Sequence, residues 1–183
     1  MIEGLILTER LELRPMTAAF MQALYEGRLA EAAGLEGVKL PDTWDLAGPH
    51  WWLRARISRV TAVPGLAAWA LRSIIRRTDN QIVGNIGFHE PPGMHPFEQE
   101  VPGIVEFGYG IATEFRRLGY ASEAAQGLVR CACEAHGVRD FQLSIALDNI
   151  PSQQLALKLG FTLFKEYAHP QRGNEYLYRL RLE

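Results

Sequence analysis

Apolar and polar positions alternate, then recur at helical spacing, then alternate again along this chain. In Arg10–Arg14, Leu11 and Leu13 alternate with charged residues and Pro15 stops the run, the pattern of a strand. Thr17 supplies an N-cap for a helix carrying Phe20, Met21 and Leu24. Residues 34–49, rich in Gly and Pro, predict irregular structure before a helix at about 48–61. There Trp51, Trp52, Ile57 and Val60 lie near apolar spacing, with Arg54, Arg56 and Arg59 outward. Residues 67–76 alternate weakly and Gln81–Phe88 clearly, joined by a turn at Thr78-Asp79-Asn80. Residues 89–103 hold four prolines and two glycines and predict a long loop of the kind that carries function or interaction.

Ile104–Ala112 is the next strand, and Gly119–His136 the clearest helix. Ala121, Ala124, Ala125, Leu128, Ala132 and Ala135 make its small apolar stripe, opposite Glu123, Gln126, Arg130 and Glu134. Phe141–Leu147 predicts a strand and Pro151–Leu159 a short helix ended by Gly160. Phe161–Tyr167 and Glu175–Leu182 predict a closing hairpin with Arg172-Gly173-Asn174 in its loop. The order βαα, three strands, then α, β, α, β, β describes an α/β chain with a mixed sheet.

Composition narrows the class. At 183 residues the chain suits one domain over 1–183 with a full core, and 48% hydrophobic with 22% charged residues is ordinary for a globular protein. A net charge of -2 argues against nucleic acid as a main partner, which requires a clustered cationic face. Cys131 and Cys133 form no disulfide framework, and with no Cys/His cluster around them they read as small half-buried side chains, so no metal is expected. No apolar run is long enough to span a bilayer, and Glu3, Glu9 and Arg10 interrupt the stretch a signal peptide would need, so no membrane association and a cytoplasmic location are expected.

The chemistry concentrates in Val105-Glu106-Phe107-Gly108-Tyr109-Gly110-Ile111 and in Arg116-Arg117-Leu118-Gly119-Tyr120-Ala121. Period-two alternation puts Val105, Phe107, Tyr109 and Ile111 on one face of the strand and Glu106, Gly108 and Gly110 on the other. Two glycines on one face suggest close approach of a ligand or of another backbone. The following Arg/Gly turn into a helix offers unpaired N–H groups and positive charge to a phosphate. Neither a P-loop nor a dinucleotide fingerprint is present.

Arg116-x-x-Gly119-x-Ala121 resembles the Q/R-x-x-G-x-G/A pyrophosphate loop of the GNAT N-acetyltransferase superfamily. Three further phrases resemble its RimJ/RimL type, whose members acetylate the N-termini of ribosomal and other proteins. They are Thr8-Glu9-Arg10-Leu11-Glu12-Leu13-Arg14-Pro15, Glu106-Phe107-Gly108-Tyr109, and Asn149-Ile150-Pro151-Ser152 ahead of Leu157-Lys158-Leu159-Gly160-Phe161. The resemblance runs from about residue 8 to 182. It implies an α/β (α+β) GNAT fold: a mixed, mostly antiparallel sheet with flanking helices, whose fourth and fifth strands, here 104–112 and 141–147, splay to admit the pantetheine arm of acetyl-CoA. Backbone near Ile111 and Thr113 would pair with pantetheine, and Arg116, Arg117, Leu118, Gly119, Tyr120 and Ala121 would wrap the pyrophosphate. Asn149 and Ser152 would lie beside the thiol. Many relatives have Gly-Lys or Gly-Gln where this chain has Arg117-Leu118, yet Arg117 retains a backbone N–H.

The activity so implied is acetyl transfer to a primary amine by direct attack in a ternary complex, since no cysteine is placed for an acyl-enzyme. An α-amine titrates near ~8 and a lysine near ~10.4, so a base must take a proton from much of either acceptor. Glu106, on the glycine face, is the candidate base, directly or through a water. A strand N–H would polarise the carbonyl, a device contributing roughly 3–4 kcal/mol in known cases. Many GNAT enzymes place a Tyr acid four residues before the helix-ending Gly; here that position is Ala156. Ser152 is the replacement acid that the RimJ/RimL resemblance implies, although Asn149 as N-cap and Ser152 as a first-turn residue also fit a purely structural reading.

His89 and Glu90 could reach the acceptor pocket, whereas His95 and His136 read as surface and Trp51, Trp52, Trp69, Tyr176 and Tyr178 as packing. The acceptor site is expected from residues 34–53 and 89–103, where Glu98 and Glu100 suit a cationic acceptor, and loop 89–103 is also a candidate homodimer contact. The rival class is a non-catalytic acyl-CoA-binding sensor or assembly module, kept open by the missing Tyr.

Overall fold

A computed structural model describes residues 4–43, 50–62, 69, 71–95, 100–169 and 173–183. The strands are β1 (Ile6–Leu7), β2 (Leu11–Pro15), β3 (Leu71–Arg76), β4 (Gln81–Phe88), β5 (Val105–Ile111), β6 (Asp140–Ala146), β7 (Thr162–His169) and β8 (Gly173–Arg181). The helices are α1 (Ala18–Tyr25), α2 (Leu29–Glu36), α3 (Trp51–Ala62), α4 (Tyr120–His136) and α5 (Ile150–Lys158), with a 3-10 turn at Thr113–Phe115. The strands follow the order β1-β2-β3-β4-β5-β6-β8-β7 in one mixed sheet. β5 and β6 run parallel, while β1–β2, β2–β3, β3–β4, β6–β8 and β7–β8 pair antiparallel. Among the described residues no helix is long and apolar enough to cross a membrane.

Two compact units share the chain, Met1–Gly87 with Tyr109–Leu128, and Phe88–Gly108 with Val129–Glu183. In the first, Met16, Phe20, Met21, Leu24, Leu53, Leu71, Ile75 and Ile82 form a buried cluster against which Trp52, Ile57 and Val60 pack. Each fully buried side chain of this size contributes about 1.5–3 kcal/mol. Thr17 caps α1, its hydroxyl accepting from the Phe20 N–H at 3.2 Å. Helix α2 was not expected; its last three residues, 34–36, enter the stretch read as irregular. Only Ala32 of this helix is fully buried, so it carries no apolar stripe to read. Its alanines favour helix, and Gly37, at φ 62°, ends it in the left-handed conformation. The expectations for residues 44–49, 63–68 and 70, for Glu98 and for the side chain of Trp51 fall outside the described residues.

The second unit is built on β5, β6, β8 and β7. Phe107 stands edge-on to both Phe88 (6.0 Å between ring centres) and Phe161 (6.1 Å). Among the described residues, β5–β6 pairing covers Val105↔Phe141 and Glu106↔Gln142, although both strands run on for several residues. This is the splay between the fourth and fifth strands that the resemblance implies, and Glu106 stands at its fork. Along α4 the buried positions are Tyr120, Ala124, Ala125, Gly127, Leu128 and Ala132; Ala135 of the expected stripe is exposed.

Gly84 on β4 lies where a Cβ would come within 2.1 Å of the Gly110 carbonyl oxygen on β5. Gly34 on α2, by contrast, has nothing within 4 Å of the same position. Gly84→Ala is therefore expected to lower the urea-unfolding free energy by about 1–3 kcal/mol through backbone displacement. Gly34→Ala should raise it by about 0.5–1 kcal/mol. Equal effects of the two substitutions would contradict this packing.

Candidate functional site

Glu106 is buried, with 7% of its side chain exposed, and both carboxylate oxygens are engaged. Oε1 lies 3.0 Å from Nδ1 of His89, and Oε2 lies 3.2 Å from Nε2 of His95. Oε2 also accepts from the Gln142 side-chain amide at 2.8 Å. Gln142 is itself oriented by Arg179, whose Nε donates to its amide oxygen Oε1 at 3.1 Å. Backbone geometry supports the cluster, because the His89 N–H donates to the Glu106 carbonyl at 2.8 Å. Burial alone would raise the Glu106 pKa. Hydrogen bonds from His89 and His95, the His89 charge and the Gln142 amide outweigh it and hold the carboxyl well below the usual carboxylate range.

The glycine face of β5 is covered by polar side chains. A Cβ on Gly108 would stand 3.0 Å from Nε2 of His89, and one on Gly110 would stand 3.3 Å from the Asn85 amide. His95, expected at the surface, is instead buried beneath Glu106. Nothing in a proline-rich loop signals that burial. Gln142 and Arg179 escape sequence reasoning for a similar reason, since only strand register brings them to Glu106. Glu100 is half exposed and lies 3.6 Å from Arg179 and 3.9 Å from Lys165, so its charge is partly neutralised.

The loop between β5 and α4 is built separately. Arg116, Arg117, Leu118 and Gly119 are exposed, Tyr120 is buried and Ala121 half-buried. Arg117 (φ 63°) and Gly119 (φ 84°) are left-handed. A non-glycine residue there carries about 1–2 kcal/mol of strain. The loop is held from beneath by the opening strand segment. Glu123, in the first turn of α4, accepts from the Thr8 hydroxyl (2.6 Å), the Arg10 N–H (2.8 Å) and Arg10 Nε (2.7 Å). Arg10 also donates to the Leu118 carbonyl at 3.1 Å and lies 4.8 Å above the Tyr120 ring. Burial raises the Glu123 pKa, but these donors lower it further, giving a net depression.

Two backbone groups expected to meet pantetheine have partners of their own: the Ile111 carbonyl accepts from Arg116 Nε (2.9 Å) and the Thr113 N–H donates to the Thr43 hydroxyl (3.2 Å). Glu114 closes on the same segment, accepting from the Asp42 N–H at 3.0 Å and from the Thr43 hydroxyl. In the second unit, Asn149 is exposed and caps α5, its Oδ1 accepting from the backbone N–H of the half-buried Ser152 at 3.2 Å. Ala156 is fully buried. Among the described residues no group of three His, Cys, Asp or Glu is placed to hold a metal ion.

Residues 10–162 match the family described as Acetyltransferase (GNAT) domain, and the chain belongs to that family. It is 30% identical over 121 residues to the uncharacterized N-acetyltransferase YjdG of Bacillus subtilis (strain 168), covering 64% of this chain and 66% of that one. The match thus spans just under two thirds of that curated relative. Two solved structures share the fold. One is the RimL ribosomal L7/L12 alpha-N-protein acetyltransferase in complex with coenzyme A, with TM-score 0.67, 19% identity and 97% and 98% of the two chains covered. The other is the ribosomal-protein-S5-alanine acetyltransferase from Vibrio fischeri, with TM-score 0.67, 13% identity and 97% and 96% covered.

Two measurements follow from these environments. Arg117→Gly removes left-handed strain and should leave the melting temperature unchanged or slightly raised, whereas Arg117→Val should cost about 1–2 kcal/mol. A lower stability for the glycine variant would show that the Arg117 side chain stabilises the loop. For Glu106, a folded pKa below the unfolded one means the unfolded chain binds more protons in acid. Its contribution is therefore complete above the unfolded value of about 4.3 and is lost as pH falls below it. Denaturation at several pH values should show a shallower acid-side decline for Glu106→Gln than for the native chain.

Proposed function

We propose that the protein transfers an acetyl group from acetyl-CoA to a primary amine by direct attack in a ternary complex. The observation that carries this reading is the end of the β5–β6 ladder at Glu106↔Gln142, taken with the exposed Arg116–Gly119 turn ahead of α4. That turn suits a pyrophosphate: it is accessible, cationic and leads into a helix N-terminus. Arg116, Arg117, Leu118, Gly119, Tyr120 and Ala121 would hold the phosphates. Ile111 and Thr113 would exchange their present side-chain partners for pantetheine, which Arg116 and Thr43 can release because both contacts are exposed.

Glu106 supplies the proton-accepting side of the site and Ser152, with Asn149, the thiol side. A protein N-terminal α-amine is the favoured acceptor, supported by the RimL and ribosomal-protein-S5-alanine acetyltransferases among the structural neighbours. The rival reading, a sensor that binds acyl-CoA without turnover, draws on the buried Ala156 at the place of the usual acid.

Calorimetric titration with acetyl-CoA, then thiol release over Ala-initiated peptides and small amines, tests the reading. Binding with turnover on one acceptor, reduced 100-fold or more by Glu106→Gln, is the expected result, of the order seen for loss of acid–base groups (roughly 10²–10⁴). Binding without turnover on any acceptor would favour the sensor, and absence of binding would overturn both readings.

A further inference from the structure

We propose that Arg10 is a positioning residue for the phosphates of acyl-CoA, holding the Leu118–Gly119 peptide plane so that its N–H stays turned toward them. This rests on the acetyl-transfer reading above and brings into it a residue from outside the Arg116–Ala121 turn.

One guanidinium spans the approach to α4. Its Nη1 donates to the Leu118 carbonyl at 3.1 Å, and its Nη2 lies 3.3 Å from where a Cβ on Gly119 would stand. Its Cζ lies 4.8 Å above the Tyr120 ring, and Nε donates to Oε2 of Glu123 at 2.7 Å. A single side chain thus touches the turn and the first turn of the helix, although it lies 113 positions from Glu123 in sequence. The segment that delivers it is itself pinned to the end of β3. Nη1 of Arg77 donates to the Thr8 carbonyl (3.0 Å) and the Glu9 carbonyl (3.2 Å), and the Arg77 N–H donates to the Arg10 carbonyl (3.0 Å).

The consequence lies in the geometry of the peptide unit. In a planar trans peptide the C=O and the N–H point in opposite directions. No cis bond occurs among the described residues, so a Leu118 carbonyl turned to Arg10 sends the Gly119 N–H away from it. Leu118 and Gly119 are both exposed, which leaves that donor on the accessible side of the turn. Gly119 sits at φ 84°, and a glycine tolerates either orientation of the preceding peptide plane at little cost. Turned over, the plane would present a carbonyl oxygen to a phosphate and repel it. Arg10 selects the donating orientation.

Charge works in the same direction. Glu123 stands in the first turn of α4, where a carboxylate and a phosphate compete for one positive helix end. The Thr8 hydroxyl, the Arg10 N–H and Arg10 Nε take up both of its oxygens. The guanidinium therefore meets this negative charge before a phosphate does.

Arg10→Gln and Arg10→Lys test the assignment, with CoA and pantetheine as probes. The Arg10 side chain is 45% exposed, so either substitution should lower the melting temperature by no more than about 2–4 °C. Calorimetry should show CoA binding to Arg10→Gln weakened by about 10–100-fold. Pantetheine lacks the phosphates, and its binding, followed by NMR titration, should stay within about twofold. Lysine keeps the charge but has no fork to span Leu118 and Glu123 together, so Arg10→Lys should remain weakened for CoA. Unchanged CoA affinity in Arg10→Gln, full recovery in Arg10→Lys, or equal losses for both probes would overturn the proposal while leaving the acetyl-transfer reading in place. Failure of the native protein to bind CoA would overturn both. A measurement on the native protein decides the matter where the variants do not fold. Carbonyl-13 leucine with nitrogen-15 glycine marks the Leu118–Gly119 and Leu159–Gly160 bonds, the second identified by its loss in Leu159→Met. A downfield shift of the Gly119 amide with CoA and not with pantetheine supports the proposal, and an unmoved Gly119 signal in CoA-saturated protein overturns it.

Discussion

A buried carboxylate organises the second unit. Removing an ion such as Glu106 from water costs several kcal/mol unless charge and hydrogen bonds replace its hydration. The replacements come from three places in the chain: His89 and His95 from the loop after β4, Gln142 from β6, and Arg179 from β8 through Gln142. Each donor fixes an element. The histidines anchor the start of a loop that its prolines would otherwise leave to wander, and Gln142 locks the parallel register of β5 and β6 at the point where the strands part. Fork and charge are thus one feature: the last paired residues before the splay are those that satisfy the carboxylate.

The first unit uses the same device with a smaller charge cost. Glu123 is only partly removed from water, and its donors come from the segment before β2. Thr8 and Arg10 hold the first turn of α4, while Arg10 reaches on to the Leu118 carbonyl and the Tyr120 ring. A turn that strains Arg117 into the left-handed region gains from such fastening, which adds to the bond its own Arg116 makes to the Ile111 carbonyl.

Much of this was legible in residues whose effect is local. The alternation in Gln81–Phe88 and Ile104–Ala112, the cap at Thr17 and the glycine stop at Gly160 act within a few residues, and the structure follows them closely. The Arg116–Ala121 turn and the opening Thr8–Pro15 phrase pointed to a family through a resemblance, but not to each other. Their junction at Glu123 spans more than a hundred positions and depends on tertiary packing. Helix α2 was missed because it buries one small face, leaving propensity without periodicity. His95 was misplaced for a deeper reason. The pattern of a loop tells which residues tolerate water, whereas this histidine is buried by the demand of a carboxylate eleven residues on.

On the proposed reading, the unequal construction of the two sides of the site has a chemical sense. The base side is buried and held by four side chains; the acid side offers a half-buried serine and an exposed capping asparagine. A thiol titrates near ~8.5, whereas nitrogen that has lost its ammonium proton could leave only as a far more basic amide anion, so the thiolate is then the better leaving group from the tetrahedral intermediate. Expulsion of sulfur then needs little help, and loss of the usual tyrosine at Ala156 costs little. The nitrogen, in contrast, enters as an ammonium with no lone pair to give, and no arrangement on the sulfur side can supply one. Ordered, desolvated machinery is expected where the proton must be removed, and it is there that this chain places a buried carboxylate held by two histidines and an amide.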